Sequence, residues 1–314
     1  MKMTLGARIE LISGLLNSDK PVASSELACL SGLGREELEF FKLNWGKVGP
    51  ARRYEIISQL VHLGEVEMGL DFTAIFVACL NDIDEAVRLQ AVLGLEGEDN
   101  YLIIVPLVKR LKQDSSVRVR AAAATTLGSF SMLAEREKIS AYYRDMVYKA
   151  LLDVLENEDE PVEVRRRALE AISPFRLPRV QELIERAYRE GGAELKASAI
   201  YAMGHNCDPV WLDILLDELN NEDAAVRYEA ANACAELGAA EAVPQLLQMV
   251  EDSDSQVQEA AIRALGEIGG KEAKRALTKL MHSQQSRIRQ AAEAALEELR
   301  FNEEPLSQSL DDLD

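Results

Sequence analysis

The sequence is poor in the residues that most often carry chemistry. Only three histidines occur in the 314 residues, His62, His205 and His282, and none has a second histidine or a cysteine as ligand at helical spacing. A Gly-rich phosphate loop, a Gly-x-Ser-x-Gly elbow and a cysteine with a plausible base are also missing. The sequence therefore predicts no catalytic residue, no cofactor and no metal site, and we expect a protein that is not an enzyme.

Other absences bear on the compartment and the fold class. The four cysteines are scattered without a Cys-x-x-Cys pair, which is typical of reduced core residues. No apolar run approaches the roughly 20 residues that cross a membrane. No stretch alternates with period two, so we expect essentially no sheet. These features predict a cytoplasmic, all-α protein without a membrane partner.

Basic charge is scarce as well, and it is unevenly distributed. The formal net charge of -19 argues against general affinity for nucleic acid. Between Cys207 and Glu259 there are 13 carboxylates and a single basic residue, Arg227. Two basic runs lie earlier, one at Lys109, Arg110, Lys112, Arg118 and Arg120, the other at Arg165, Arg166, Arg167, Arg176 and Arg179. The pattern is consistent with solvated faces, or with a partner of opposite polarity.

What is present is a repeat. An aliphatic or long anchor residue, usually followed by a basic one, precedes a small residue and then a large apolar one in eight copies. The last five anchors, Val164, Leu195, Val226, Val257 and Ile288, are 31 residues apart, and earlier copies begin at Arg52, Val87 and Val117. A fixed period of this length is typical of stacked supersecondary units.

Each repeat has the pattern of two helices. With the anchor as position 0, positions +4, +7, +8 and +11 fall within about 80° of the anchor on a helix of 3.6 residues per turn, and +4 and +7 are mostly Ala. Small residues at these positions indicate close approach of a neighbouring helix. Shorter apolar segments such as Trp211 to Leu219 lie between these helices. Each unit is therefore predicted to be a helical hairpin.

The acidic turn followed by Val-Arg, Ala and Leu-Gly resembles the HEAT-repeat superfamily, in particular the short bacterial kind often called phycobilisome-lyase-like HEAT repeats. Asp223 to Gly238 and Asp114 to Gly128 carry the resemblance most clearly. It covers roughly residues 37–300 and implies a right-handed α-solenoid of about eight helical hairpins. It also implies a structural ladder of turn aspartates and of the basic residues after the anchors, here Arg53, Arg88, Arg118, Arg165, Lys196, Arg227 and Arg289, which Gln258 interrupts.

The scarcity of histidine argues against a resemblance to the HEAT-repeat hydroxylases. Their di-iron site draws on repeated His-Glu pairs, and no His-Glu pair occurs in this sequence. We assign His62 and His205, which share position +10, to polar contacts at helix ends.

Two segments depart from the period. Residues 1–36 have the rhythm of a helix-turn-helix, but the second helix begins Arg35-Glu36-Glu37, so we predict an N-terminal helical cap rather than a DNA reader. A longer insertion lies near 130–158 and contains Tyr142, Tyr143 and Tyr148. Residues 37–300 form the predicted solenoid, and residues 301–314 a predicted acidic, disordered tail.

Positions +2 and +6 point away from the apolar stripe, toward the predicted inner groove. Several copies carry aromatic, aliphatic or Arg side chains there, which are typical of interaction surfaces. The predicted partner-binding residues are Tyr54, Leu89, Leu93, Val119, Arg166, Tyr201, Tyr228, Asn232 and Arg263.

The function that these observations predict is a non-catalytic scaffold or adaptor that holds a macromolecular partner, a protein of unknown identity, on the concave face. Two alternatives stay open. One is a chromophore-lyase-like or other catalytic HEAT protein, which a pocket of converging polar side chains would indicate. The other is nucleic-acid binding through the central basic runs, which the net charge disfavours.

Overall fold

The computed structural model describes residues 4–18, 22–67 and 69–303, and the chain there is all-α. No strand occurs among these residues, so the predicted fold class is confirmed. Contacts divide the chain into two compact units, residues 1–172 and 173–314. None of the helices in the described ranges is both long and apolar enough to cross a membrane.

The described residues of the first unit form ten α-helices. In chain order they are α1 Leu5–Asn17, α2 Ser24–Leu27, α3 Arg35–Trp45, α4 Pro50–Val66, α5 Thr73–Cys79, α6 Glu85–Leu93, α7 Ile104–Gln113, α8 Val117–Glu135, α9 Ala141–Glu156 and α10 Val162–Ile172. The predicted insertion corresponds to the end of α8 and to α9, two helices of consecutive hairpins that are longer than most of the others.

The second unit contains eight α-helices. They are α11 Pro178–Glu190, α12 Gly192–Asn206, α13 Leu212–Glu218, α14 Ala224–Glu236, α15 Val243–Met249, α16 Ser255–Ile268, α17 Gly270–Leu280 and α18 Ser286–Glu303. The rest of the predicted acidic tail, residues 304–314, lies outside the described residues. From α3 onward the helices follow one another as eight hairpins, the predicted number.

The second helix of each hairpin is the one that the repeat pattern predicted, and we call these the repeating helices. In the first unit α4, α6, α8 and α10 pack in succession, and in the second unit α12, α14, α16 and α18 do the same. The anchors Val87, Val164, Val226 and Val257 are at most 3% exposed. Burial of this apolar stripe, at about 25 cal/mol per Å², is the main stabilising contribution to each hairpin.

One copy of the repeat was placed two residues too early. Val117 is half-buried, whereas Val119 is fully buried together with Ala123, Leu127 and Phe130. The segment Val-Arg-Val-Arg satisfies the motif in two frames, and only the frame that begins at Val119 puts positions 0, +4, +8 and +11 in the core. The prediction that Val119 is an exposed partner-binding residue is therefore wrong, because it is the anchor of this helix.

The acidic turns cap the repeating helices. Asp84, Asp223 and Asp254 each accept a hydrogen bond from a backbone N–H in the first turn that follows, at 2.8, 2.9 and 2.8 Å. Such caps satisfy N–H groups that the helix itself leaves free. The turns thus fix where each repeating helix begins.

A ladder of ion pairs links successive turns. The Arg227 side chain donates through Nε and Nη2 to the two carboxylate oxygens of Asp252, both at 2.8 Å, and through Nη1 to the carbonyl of Asn221 in its own turn. Hydrogen bonding from Arg227 holds the pKa of Asp252 below its usual range. Equivalent pairs are Arg53 with Asp82, Arg88 with Asp114, and Lys196 with Glu218.

The ladder departs from the predicted set at Arg118, Arg165 and Arg289, and it is interrupted at Gln258. Nε of Arg165 is buried without a hydrogen-bond partner among the described residues, and Arg289 donates only to the carbonyls of Ser283 and Gln284 in its own turn. Arg120, rather than the predicted Arg118, pairs with Glu160 at 2.7 Å, as the corrected frame requires. Gln258 donates to the carbonyl of Asp252 at 2.7 Å but forms no ion pair, so the predicted interruption is confirmed.

Glycine permits the closest contacts between repeating helices. A Cβ on Gly204 would lie 2.7 Å from the Cα of Ala233, and one on Gly266 would lie 2.8 Å from both the Cβ and the carbonyl oxygen of Ala295. Real side-chain carbons do not approach so closely. The backbones of α12 and α14, and of α16 and α18, are therefore in near-direct contact at these points.

Candidate functional site

The predicted partner-binding residues of the first unit differ in their exposure. Tyr54 is 44% exposed, whereas Leu89, Leu93 and Arg166 are half-buried. Arg166 forms an ion pair with Glu163 at 3.2 Å. These residues remain candidates for surface contacts.

The second unit brings the other predicted residues together. Tyr201, Tyr228, Asn232 and Arg263 line one groove of about 370 Å³ that crosses α12, α14 and α16. They occupy positions +2 and +6 of successive repeats, which lie four residues apart on one helix face. The period of the repeat thus places equivalent side chains side by side on neighbouring helices.

The groove also contains titratable residues that the sequence analysis did not select. His205, Glu229, Glu236 and Glu267 line it beside the predicted side chains. His205, Glu236 and Glu267 all occupy position +10, one turn beyond +6. Their shared position was the available signal, and His205 had been assigned to helix-end contacts instead.

Two sets of contacts order the groove. The rings of Tyr201 and His205 stack with their centroids 4.1 Å apart and their planes at 19°. Arg263 donates through Nη2 to Oδ1 of Asn232 at 2.7 Å, and its Nε lies 3.9 Å from Oε1 of Glu267. The aromatic stack forms one wall, and the Arg263 guanidinium spans the gap between α14 and α16.

Glu267 is a carboxylate of this groove whose pKa is raised above the usual glutamate value. Partial burial is the largest cause that raises its pKa, the negative charges of Glu298 and Glu236 raise it further, and Arg263 opposes them. A carboxylate with a raised pKa takes up a proton at a higher pH than an ordinary glutamate, and this tuning is common in general acids and bases.

A second cavity of about 330 Å³ continues the groove across α16 and α18 and shares Arg263 with the first. Glu259 and Glu298 line it, and Arg287 forms an ion pair with Glu259. Hydrogen bonding from Arg287 lowers the pKa of Glu259. We refer to the two cavities together as the acidic groove, because Glu229, Glu236, Glu259, Glu267 and Glu298 outnumber Arg263 and Arg287 along it.

Most of the residues in the two basic runs are engaged in ion pairs. In the first run Arg110, Lys112 and Arg120 pair with Asp114, Asp153 and Glu160, and in the second Arg166, Arg167 and Arg179 pair with Glu163, Glu170 and Glu182. A cation that is already paired with a carboxylate is a weaker ligand for a phosphate. These runs therefore give little support to nucleic-acid binding.

The side chains of the described residues do not fit a metal centre. No group of three or more His, Cys, Asp or Glu side chains in the described part of the chain is placed to hold a metal ion. His205 is stacked on Tyr201, and His62 lies 3.9 Å from Glu65 on an exposed helix face. The donor set required for a di-iron site of repeated His-Glu pairs is therefore not met.

Comparison with known proteins identifies the repeats. A family model for HEAT repeats matches residues 104–204 and 212–297. The deoxyhypusine hydroxylase of Drosophila pseudoobscura pseudoobscura is 33% identical over 95 residues, which cover 30% of this chain and 32% of that protein. The chain thus matches only about a third of the length of this curated relative.

Three solved structures resemble the chain at low scores. Escherichia coli YibA is 17% identical, with 79% of this chain and 96% of that chain covered and a TM-score of 0.45. An engineered protein is 19% identical, with coverages of 94% and 89% and a TM-score of 0.42. Human deoxyhypusine hydroxylase in complex with glycerol is 18% identical, with coverages of 85% and 96% and a TM-score of 0.37.

These findings correct the predicted function and confirm the predicted family. The curated relative is an enzyme, so the prediction of a non-catalytic scaffold that is not an enzyme is wrong, and the catalytic alternative is better supported. The exclusion of a resemblance to HEAT-repeat hydroxylases is also wrong at the level of sequence, although the His-Glu pairs are missing. Because the family model matches more than half of its residues, the chain belongs to the HEAT-repeat family.

Proposed function

We propose that the protein is a HEAT-repeat enzyme that carries out a general acid–base reaction in the acidic groove. The convergence of His205, Glu236, Glu267 and Arg263 in one concave site is the observation that carries this proposal. A pocket of converging polar side chains is the feature that distinguishes a catalytic HEAT protein from a scaffold, and the groove has it.

Glu267 is the proposed proton-transfer residue. Its pKa is raised by burial and by neighbouring carboxylates, which brings it closer to the pH at which a general base works best. Arg263, 3.9 Å away, would keep the carboxylate oriented. His205 is a second titratable group, and stacking against Tyr201 fixes the plane of its ring.

The enzymatic relative supports a catalytic function, but it does not supply the mechanism. The described residues lack the donors for a di-iron centre, so the proposed reaction relies on the carboxylates and the imidazole of the groove. We also propose a cytoplasmic location, which is supported by the four free cysteines, Cys29, Cys79, Cys207 and Cys234.

The experiment compares Glu267→Gln with Glu293→Gln, an exposed carboxylate of α18 outside the groove. Each protein is incubated with a peptide mixture from a proteolysed cell extract, and products are followed by tandem mass spectrometry. Wild type and Glu293→Gln should generate the same product, whereas Glu267→Gln should be slower by at least ~100-fold. A Glu267→Gln variant that forms the product at the wild-type rate would refute the role of Glu267.

The protonation of Glu267 can be measured without a substrate. Carbon-13 NMR of the labelled protein follows its carboxyl group, with Glu267→Gln used for assignment. Titration above the usual glutamate value of about 4.3 is expected. Since the deprotonated form is the base, the rate should fall as the pH drops through this pKa, and titration at or below the usual value would contradict the assignment.

A further inference from the structure

The acidic groove is periodic, and this periodicity bears on the shape of its ligand. Its two cavities share Arg263 as a lining residue, so together they extend from α12 to α18. Position +10 contributes one side chain from each repeating helix, namely His205, Glu236, Glu267 and Glu298. Position +10 therefore offers one titratable side chain per repeat, three of the four being carboxylates, and Glu229 and Glu259 add further negative charge.

The spacing of these side chains follows from helix packing. Packed helices lie about 8–10 Å apart, and the close Gly–Ala contacts show that α12 packs directly on α14 and α16 directly on α18. A polyproline II segment rises about 3.1 Å per residue with three residues per turn, so every third side chain points the same way at intervals of about 9.3 Å. This interval falls within the range of distances between packed helices.

The charge of the groove indicates what those side chains should be. Arg263 and Arg287 are already held against Glu267 and Glu259, which leaves the groove with an excess of negative charge. Burial is the main cause of the raised pKa of Glu267, and the additional contributions of Glu298 and Glu236 indicate that these carboxylates lie close enough to repel one another. A positively charged ligand would relieve that repulsion.

The aromatic side chains point to the same ligand class. Tyr201, stacked on His205, and Tyr228 line the end of the groove at α12 and α14. Ring faces attract ammonium and guanidinium groups through the electrostatic field of the aromatic ring. Aromatic rings beside a row of carboxylates thus favour Lys or Arg side chains over neutral ones.

We propose that the acidic groove binds an extended basic peptide in which a Lys or Arg recurs at every third residue, with each basic side chain facing one repeat. The inference rests on the proposed function, since this peptide would present the substrate to Glu267. It explains why the groove extends over four helices when proton transfer requires only one carboxylate.

The test uses two fluorescein-labelled nonapeptides of identical composition, three Lys and six Pro, in fluorescence anisotropy titrations with the full chain. One has Lys at every third position, and the other has the three Lys residues adjacent. The spaced peptide should bind at least tenfold more tightly. Glu236→Gln and Glu298→Gln should each weaken its binding by at least threefold, whereas Glu293→Gln should leave it unchanged, with folding verified by circular dichroism.

The outcomes separate this inference from the proposed function. Equal affinities for the two peptides, or no binding of either, would overturn the inference, and so would tighter binding of a labelled oligonucleotide than of the spaced peptide. Binding is measured without turnover, so spaced-peptide binding without any Glu267-dependent reaction would uphold the binding site and refute the catalysis. Glu267-dependent turnover together with equal affinities for the two peptides would uphold the catalysis and overturn the binding inference.

Discussion

The close contacts at Gly204 and Gly266 predict that replacing glycine by alanine destabilises the protein at these two positions, whereas the same replacement at an uncrowded glycine stabilises it. Gly204→Ala and Gly266→Ala place a methyl group 2.7–2.8 Å from atoms of Ala233 and Ala295. Gly14, in the middle of α1, has nothing within 4 Å of the position that a Cβ would occupy. Gly14→Ala is therefore a control with the same chemistry and without the clash.

The magnitude follows from two opposing contributions. Carbon atoms in ordinary contact are about 3.5–4.0 Å apart, so each new methyl group would overlap its neighbour by about 1 Å. Overpacking of this kind costs about 1–3 kcal/mol, and Ala gains about 1 kcal/mol over Gly in a helix interior. We expect Gly204→Ala and Gly266→Ala to lower the free energy of unfolding by up to about 2 kcal/mol. Gly14→Ala should raise it by about 0.5–1 kcal/mol.

The assay is urea denaturation followed by far-ultraviolet circular dichroism. Because the two compact units can unfold in separate transitions, native-state hydrogen exchange of α12 and α14 is measured in parallel. Gly204→Ala should accelerate exchange in both of these helices. A Gly204→Ala variant that is stabilised to the same extent as Gly14→Ala would refute the inferred contact between α12 and α14.

Three further changes test the core and the ladder. Ala261→Asp buries an unpaired carboxylate at a fully buried position and should cost more than about 3 kcal/mol of unfolding free energy, so wild-type-like melting would contradict the helix phase. Asp252→Asn should destabilise the protein by about 1 kcal/mol at pH 7. Because the folded pKa of Asp252 is depressed, the difference from wild type should shrink as the pH falls through that pKa, and a difference independent of pH would contradict the pair with Arg227. Gln258→Arg combined with Ser283→Asp should restore the interrupted pair with a coupling energy of about 0.5–1 kcal/mol, and strictly additive effects in urea denaturation would exclude it.

The fold was predictable because the core repeats in a short, local pattern. The small residues at +4 and +7 and the aspartates of the turns specify each hairpin without reference to the rest of the chain. The pattern failed at Val117, where Val-Arg-Val-Arg fits two frames. Burial of Phe130 decides between them, and burial cannot be read from the motif alone.

Only some of the residues that line the groove could be predicted from the sequence. Tyr201, Tyr228, Asn232 and Arg263 were selected as exposed side chains on an inner face, and the structure brings these four into one site. The role proposed for Glu267 depends on its burial and on carboxylates from the helices before and after it. Such coupling across about 30 residues is set by helix packing, whereas the sequence analysis judged each histidine and glutamate within its own helix.

The ion-pair ladder has a consequence for how such a chain changes length. Arg227 and Asp252 are 25 residues apart, so both fall within the single 31-residue period that begins at Val226. Duplication or loss of one whole period would add or remove a complete pair and would orphan no charge in the core. Insertion of half a period would separate the partners and leave each of them desolvated. Lineages can therefore lengthen or shorten the array by integral modules, and the acidic groove would gain or lose one subsite with each module.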